Sequence, residues 1–199
     1  MNQQEKDITT TLHFSNTKGC QHRHIPHLAH SAKLLLDQVF EQYSRILAIR
    51  VDFGYKSEYQ SQPYEQLCDD RKRYLHSRRD CHIFDGLVDV MWKLEYQSSF
   101  HYHTLWLFNG HERHLHAHAY IAHQLCERWV KMTQGRGIAY NCNQHINDYK
   151  DIGIGMVHRD DLVKRESLLN VAMYLCKEDQ LVKSMIPKGH RTFGRSVLR

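Results

Sequence analysis

Two histidines separated by one residue, His101 and His103, lie in an apolar stretch that spans residues 100–108. The stretch is typical of a β-strand, in which alternate side chains face the same side, about 7 Å apart at the backbone. Both imidazoles could therefore bind one metal ion. The alternative is a pair of hydrogen-bonded core histidines, because buried polar side chains are commonly satisfied in that way.

The spacing alone indicates little, because the chain has 17 histidines and four H-x-H pairs. The pair His22 and His24 lies in a polar N-terminal stretch that nothing is expected to hold rigid. The two overlapping pairs at 114–118 open a predicted helix, where residues two apart do not face each other. The strand context therefore favours His101 and His103.

An acidic residue on the preceding predicted strand strengthens the metal interpretation. If residues 97–99 form a three-residue turn, Glu95 pairs directly across from His101 and shares its face, whereas a two-residue turn would place it on the opposite face. Two imidazoles and one carboxylate leave open positions for substrate oxygens. This set suits Mg²⁺ or Mn²⁺ acting on a phosphate, and Zn²⁺ less well.

A tyrosine and a lysine three residues apart, Tyr174 and Lys177, lie in a predicted helix over residues 160–182. Such residues are neighbours on a helix surface. A phenol with a pKa near 10 is a poor nucleophile, and a nearby ammonium lowers that pKa and stabilises a phosphorylated intermediate. The alternative is an exposed tyrosine beside an exposed lysine.

Helical and strand patterns alternate along the rest of the chain, which predicts an α+β fold with a central, mostly antiparallel β-sheet flanked by helices. The predicted helices are 26–43, 63–79, 115–132 and 160–182, and the predicted strands are 46–53, 87–96, 100–108, 138–143 and 152–158. Residues 1–25 are interpreted as a flexible polar arm, and 26–199 as a single domain with an N-terminal helix. Residues 190–196 are interpreted as a basic tail.

The composition is that of an ordinary globular protein, with 199 residues, 41% hydrophobic residues and a net charge of +5. This excludes a collagen-like, coiled-coil or wholly disordered chain. No apolar run is long enough for a transmembrane helix, and the polar N-terminus is unlike a signal peptide. The six scattered cysteines favour reduced thiols in a cytosolic protein.

Several segments together resemble a known group of enzymes, the HUH single-strand DNA endonucleases. These comprise replication initiators of rolling-circle plasmids and phages, conjugative relaxases and related transposases. More narrowly, the chain resembles the inovirus-type replication-protein family of filamentous phages and prophages, over most of residues 45–199. The segments that carry the resemblance are RVDF at 50–53, FHYHTLWLFNG at 100–110, NVAMYLCKEDQ at 170–180 and RTFGRS at 191–196.

The resemblance implies an RRM-like core and a metal-dependent nicking and joining enzyme. His101, His103 and Glu95 would be metal ligands, Tyr174 the nucleophile and Lys177 its assistant. Transesterification would link Tyr174 to the 5′-phosphate of single-stranded or hairpin DNA and release a 3′-hydroxyl that primes rolling-circle replication.

The resemblance also makes Arg50, Arg191 and Arg195 candidates for contacts with DNA phosphates, while Asp52 is left unassigned. Residues 189–196 nearly match an ATP-binding P-loop, but an arginine replaces the lysine. A separate host helicase is therefore expected. The expected location is the cytoplasm of a bacterium that carries the phage or prophage.

Other functions remain open at this point. The same chemistry could serve a transposase, the fold could be a non-catalytic DNA-binding regulator, or the chain could be a histidine-rich metal-binding protein. If Tyr174 is not the nucleophile, Tyr149 and Tyr140 are the next candidates.

Overall fold

The computed structural model describes residues 24–114, 117–145 and 153–197. The helices in these ranges are α1 (Pro26–Gln42), α2 (Tyr64–His76), α3 (His118–Met132), α4 (Leu162–Tyr174) and α5 (Gln180–Met185). The strands are β1 (Arg45–Tyr55), β2 (Leu87–Tyr96), β3 (Phe100–Asn109), β4 (Gly137–Asn141), β5 (Gly155–His158) and β6 (Phe193–Val197). Short 3₁₀ turns lie at Ser57–Tyr59, Ser77–Asp80 and His82–Phe84.

The strands form one six-stranded antiparallel sheet in the order β4-β1-β3-β2-β6. β4 and β5 both pair with β1, β4 along residues 51–55 and β5 along residues 45–48. Helices flank this sheet, so the predicted α+β class is confirmed.

The two faces of the sheet bury different cores, because side chains alternate along each strand. On β1, Leu47 and Ile49 face a core that includes buried residues of α2 and α3. Ile46 and Ala48 face the opposite core, which includes buried residues of α1 and α4. The latter face, called here the α1/α4 face, also carries the candidate site.

The strand register places five side chains in one row across the α1/α4 face. Paired residues of antiparallel strands point to the same side of a sheet. The row runs from β4 to β6 through Tyr140, Asp52, His103, Lys93 and Phe193. Three of its members are ionisable and buried, which is unusual for the centre of a sheet.

The predicted single helix over residues 160–182 is wrong, because α4 ends at Tyr174 and α5 begins at Gln180. The backbone amides of residues 175–177 hydrogen-bond to carbonyls three residues back and so form a tight turn. The carbonyl of Cys176 accepts a hydrogen bond from the amide of Ile25, at 2.9 Å. Tertiary pairing therefore replaces the next helical turn.

The basic C-terminal segment, for which no strand was predicted, contains the edge strand β6 (Phe193–Val197). This segment has too few apolar residues to show the period-2 pattern of a strand. Pairing with β2 supplies its order, and Gly194 lies so close to the indole of Trp92 that a β-carbon would collide with it.

The remaining helices match the predictions apart from their ends. α2 ends at His76 and a 3₁₀ turn follows, and α3 begins at His118, after residues 115–116, which lie outside the described ranges. The predicted arm lies almost wholly outside them too, so the domain boundaries stay a prediction. No helix within the described ranges is both long and apolar enough to cross a membrane.

Candidate functional site

Glu95, His101 and His103 form a buried cluster on the α1/α4 face, in the β2–β3 hairpin. One ligand atom from each residue lies within 4.8 Å of the other two. Residues 97–99 form the hairpin loop, and Glu95 is paired with His101. The strand register is therefore the one expected for a three-residue turn, and it places the Glu95 carboxylate on the same face as the imidazoles of His101 and His103.

Both imidazoles contact an oxygen acceptor through Nδ1. His101 Nδ1 lies 3.2 Å from the backbone oxygen of Ser99, and His103 Nδ1 lies 2.9 Å from Asp52 Oδ2. An imidazole that donates from Nδ1 in this way can present the Nε2 lone pair to a metal ion. His103 Nε2 is directed at Glu95, at 3.2 Å from Oε2. Two imidazole nitrogens and a carboxylate oxygen thus converge as a donor set that fits a divalent cation.

Asp52, which the sequence analysis left unassigned, is a fully buried part of this site. Besides His103, its carboxylate lies 3.7 Å from Arg50 Nε and 3.6 Å from Cys142 Sγ. Burial raises the pKa of Asp52, but the charges of His103 and Arg50 together outweigh it and lower the pKa. One sequence feature could have indicated this role. Arg50 and Asp52 are two residues apart on a predicted strand, so both point to one face, and that strand pairs with the strand of His103.

The cluster holds charges of both signs. Burial lowers the pKa of His103, but Asp52 and Glu95 outweigh it and raise the pKa above its usual value. Burial and His103 lower the pKa of His101. For Glu95, the charges of His103 and Lys177 outweigh burial and lower the pKa. Both carboxylates are therefore ionised at neutral pH, and His101 is neutral.

Tyr174 and Lys177 lie directly against this cluster, and neither is exposed. Lys177 Nζ donates to the Tyr174 hydroxyl at 3.0 Å and contacts Glu95 Oε1 at 2.7 Å. The Tyr174 ring packs edge-on against His103 with 5.5 Å between centroids, and the Arg50 guanidinium lies 5.0 Å from the Tyr174 centroid. The turn after α4 thus brings the tyrosine and lysine to the histidine pair of β3.

The pKa of Tyr174 is raised, although Lys177 acts in the predicted direction. Burial and the charge of Glu95 raise the pKa, and Lys177 and Arg50 lower it by less. Lys177 is itself shared with Glu95. The phenol is therefore protonated at neutral pH, and burial is the main reason.

The three arginines predicted to contact DNA lie at different places. Arg50 is within the site, with Nη2 3.5 Å from His103 Nδ1. Arg195 is exposed on β6 and is paired with Met91 across the α1/α4 face. Arg191 is exposed just before β6, where the chain runs beside β2. The last two lie outside the cluster, on its β6 side.

Of the two alternative nucleophiles, the structure describes Tyr140, which lies on the same face as the cluster but on β4. Tyr140 is paired with Asp52 across β1 and β4, and its ring stacks on His145 with 5.0 Å between centroids. Tyr149 lies outside the described residues.

The fold and site together define an α+β protein with a buried Glu/His/His cluster beside a tyrosine–lysine pair. The chain belongs to the YagK/YfjJ C-terminal domain family, whose family model matches residues 9–196. No curated protein and no solved structure matches the chain.

Proposed function

We propose that this protein is a metal-dependent single-strand DNA endonuclease and strand transferase that initiates rolling-circle replication. The observation that carries the proposal is the position of Tyr174, whose hydroxyl is 3.0 Å from Lys177 Nζ, which in turn is 2.7 Å from Glu95 of the cluster. A potential nucleophile, a cation and a donor set that could hold a metal therefore lie in contact on the α1/α4 face.

Glu95, His101 and His103 would hold Mg²⁺ or Mn²⁺. Such a cation polarises a phosphate oxygen and offsets the charge that develops in phosphoryl transfer. The protein side chains supply position: Asp52 and Ser99 orient the two imidazoles, and Lys177 holds the hydroxyl of Tyr174.

The proposed step exchanges one phosphodiester bond for another. The Tyr174 oxygen forms a bond with phosphorus as the bond from phosphorus to the 3′-oxygen breaks. The phenol loses one proton and the leaving 3′-oxygen gains one, so atoms and charge balance. The product is a 5′-phosphotyrosine link and a 3′-hydroxyl, and attack by a 3′-hydroxyl reverses the step and rejoins the strand.

The strand conformation of β6 supports the expectation of a separate helicase, because it makes an ATP-binding loop at residues 189–196 implausible. An ATP-binding P-loop leads into a helix, but the near-match at residues 189–196 runs into the strand Phe193–Val197.

A covalent-adduct assay tests the proposal. Labelled single-stranded and hairpin oligonucleotides from candidate origins are incubated with the protein and Mn²⁺ and resolved on a denaturing gel. We expect an adduct that is lost in Tyr174→Phe and with EDTA, and retained in the matched variant Tyr140→Phe. An adduct that persists in Tyr174→Phe would show that another residue is the nucleophile.

The metal assignment is tested in the same assay. His101→Ala and His103→Ala should each abolish Mn²⁺-dependent adduct formation, and unchanged activity in both would refute the assignment. Tight DNA binding without an adduct on all substrates would favour a non-catalytic regulator. Joining of two element ends would favour a transposase.

A further inference from the structure

Lys93 is a fully buried lysine on β2, an interior strand of the sheet, with 0% of its surface exposed. It lies on β2, opposite His103 of β3 and Phe193 of β6, in the row that crosses the α1/α4 face. Lysines are almost never fully buried without a partner, because removing a charged or polar head from water is costly.

The partner is a backbone oxygen of the turn that carries the tyrosine–lysine pair. Lys93 Nζ donates to the carbonyl of Lys177 at 3.0 Å. Burial lowers the pKa of Lys93, and the charges of Glu95 and Asp179 oppose that effect. The amine donates this hydrogen bond in either protonation state, so the contact does not depend on its charge.

The turn at residues 175–177 is held from two sides. A helix leaves its last carbonyls without intrahelical donors, and here the amides of residues 175–177 bind them. The carbonyls of Cys176 and Lys177, in the turn itself, are bound by other parts of the chain. The amide of Ile25 donates to Cys176, next to a β-bridge between His24 and Lys177. Lys93 reaches Lys177 from the sheet side. The position of this turn relative to the cluster thus depends on Lys93.

We propose that Lys93 is a positioning residue, which fixes the turn after α4 and thereby places the Tyr174 hydroxyl and the Lys177 ammonium against the Glu95/His101/His103 cluster. The inference rests on the proposed function, since it concerns the same reaction. Misplacement of a reacting group by about 1 Å can cost about 100-fold in rate. A single buried hydrogen bond at the turn can therefore affect the chemistry without touching the substrate.

The test compares Lys93→Met, which keeps an unbranched chain but removes the donor, with wild type. The matched control is Lys183→Met, which removes the same charge from an exposed lysine of α5. We expect the single-turnover rate constant for adduct formation, at saturating DNA and Mn²⁺, to fall at least tenfold in Lys93→Met only. Mn²⁺ affinity should not weaken, and hydrogen exchange at the amides of residues 175–178 should accelerate.

The rate constant separates positioning from general destabilisation. A variant that is merely less stable loses rate at most in proportion to its folded fraction, so a tenfold fall in a variant that is almost wholly folded exceeds what destabilisation can produce. Circular dichroism establishes whether the variant is folded. If Lys93→Met is unfolded, Lys93→Gln replaces it, because glutamine keeps a polar group at this position but its shorter side chain does not reach the Lys177 carbonyl.

An unchanged rate constant, or unchanged hydrogen exchange at 175–178, would overturn the inference. If Tyr174→Phe abolishes the adduct while Lys93→Met does not, only the role of Lys93 is refuted. If the wild type forms no adduct, the proposed function fails, and the exchange measurement still decides whether Lys93 fixes the turn.

Discussion

His103 is the residue on which the candidate site converges. Its ring lies between two carboxylates, with Asp52 at Nδ1 and Glu95 at Nε2. These contacts restrict ring rotation and orient Nε2 toward the cluster. If His103 binds a metal ion, Asp52 would orient that ligand without binding the ion itself. Mutation of such a partner typically changes metal affinity about 10–100-fold.

At the residue scale, we expect Asp52→Asn to weaken Mn²⁺ binding about 10–100-fold, because it removes the negative charge that orients and polarises His103. Isothermal titration calorimetry measures the affinity. Asp160→Asn, which alters an exposed carboxylate at the start of the α4 region, is the matched control and should bind Mn²⁺ like wild type. Equal affinities for wild type and Asp52→Asn would contradict the orienting role of Asp52.

At the element scale, β2 concentrates buried ionisable side chains on one face. Asp89, Lys93 and Glu95 alternate along it and all face the α1/α4 side. Lys93 and Glu95 contact the turn after α4. For Asp89, burial raises the pKa to about 7, although the hydrogen bond from Val90 and the charges of Arg195 and Arg78 lower it.

The raised pKa of Asp89 predicts a pH-dependent cost to folding. Between its ordinary value of 3.8 and about 7, the folded state keeps the proton and the unfolded state loses it. The free energy of unfolding therefore falls as pH rises through this window. We expect Asp89→Asn to match wild type near pH 4 and to be more stable at pH 8, by about 2–4 kcal/mol.

Urea unfolding at pH 4, 6 and 8 measures this difference. The Asn side chain can still accept the hydrogen bond that the Val90 amide donates to Asp89, at 2.6 Å. Asp160→Asn again serves as the control, since its side chain is exposed. A stability difference that does not change with pH would show that Asp89 is not the protonated acid described here.

At the scale of the whole molecule, the site exists only where separate parts of the chain meet. The candidate metal ligands come from the β2–β3 hairpin and Asp52 comes from β1, whereas Tyr174 ends α4 and Lys177 lies in the turn after it. A cation bound there would bind the folded state and not the unfolded chain. Binding should therefore stabilise the fold as a unit.

We expect Mn²⁺ at 100 times its Kd to raise the free energy of unfolding by about 2.7 kcal/mol, and EDTA to reverse the effect. Thermal unfolding with and without Mn²⁺ measures it. His101→Ala should lose the stabilisation, whereas His145→Ala, at an exposed histidine on the β4 side, should keep it. Equal stabilisation of both variants would place the bound ion outside the cluster.

The sequence determined those features that depend on local order. The apolar, strand-like stretch at residues 100–108 predicted β3, and the alternation of side chains along a strand predicted the shared face of His101 and His103. The sequence left two turn lengths open, and the three-residue turn is the one that places Glu95 on that face. The α+β class followed from the order of helical and strand patterns. These are short-range properties, in which a residue's neighbours decide its conformation.

Only the tertiary structure decided where distant parts of the chain meet. Local periodicity predicted that the helix continues past Tyr174, but it ends there, and the backbone amide of Ile25 and the side-chain amine of Lys93 bind the carbonyls of Cys176 and Lys177 in the turn that follows. Pairing with β2 made a strand of the C-terminal segment. The roles of Asp52 and Lys93 arise from strand order and burial, which are properties of the packed molecule. These roles depend on long-range hydrogen bonds and on desolvation, and neither can be read from the spacing of neighbouring residues.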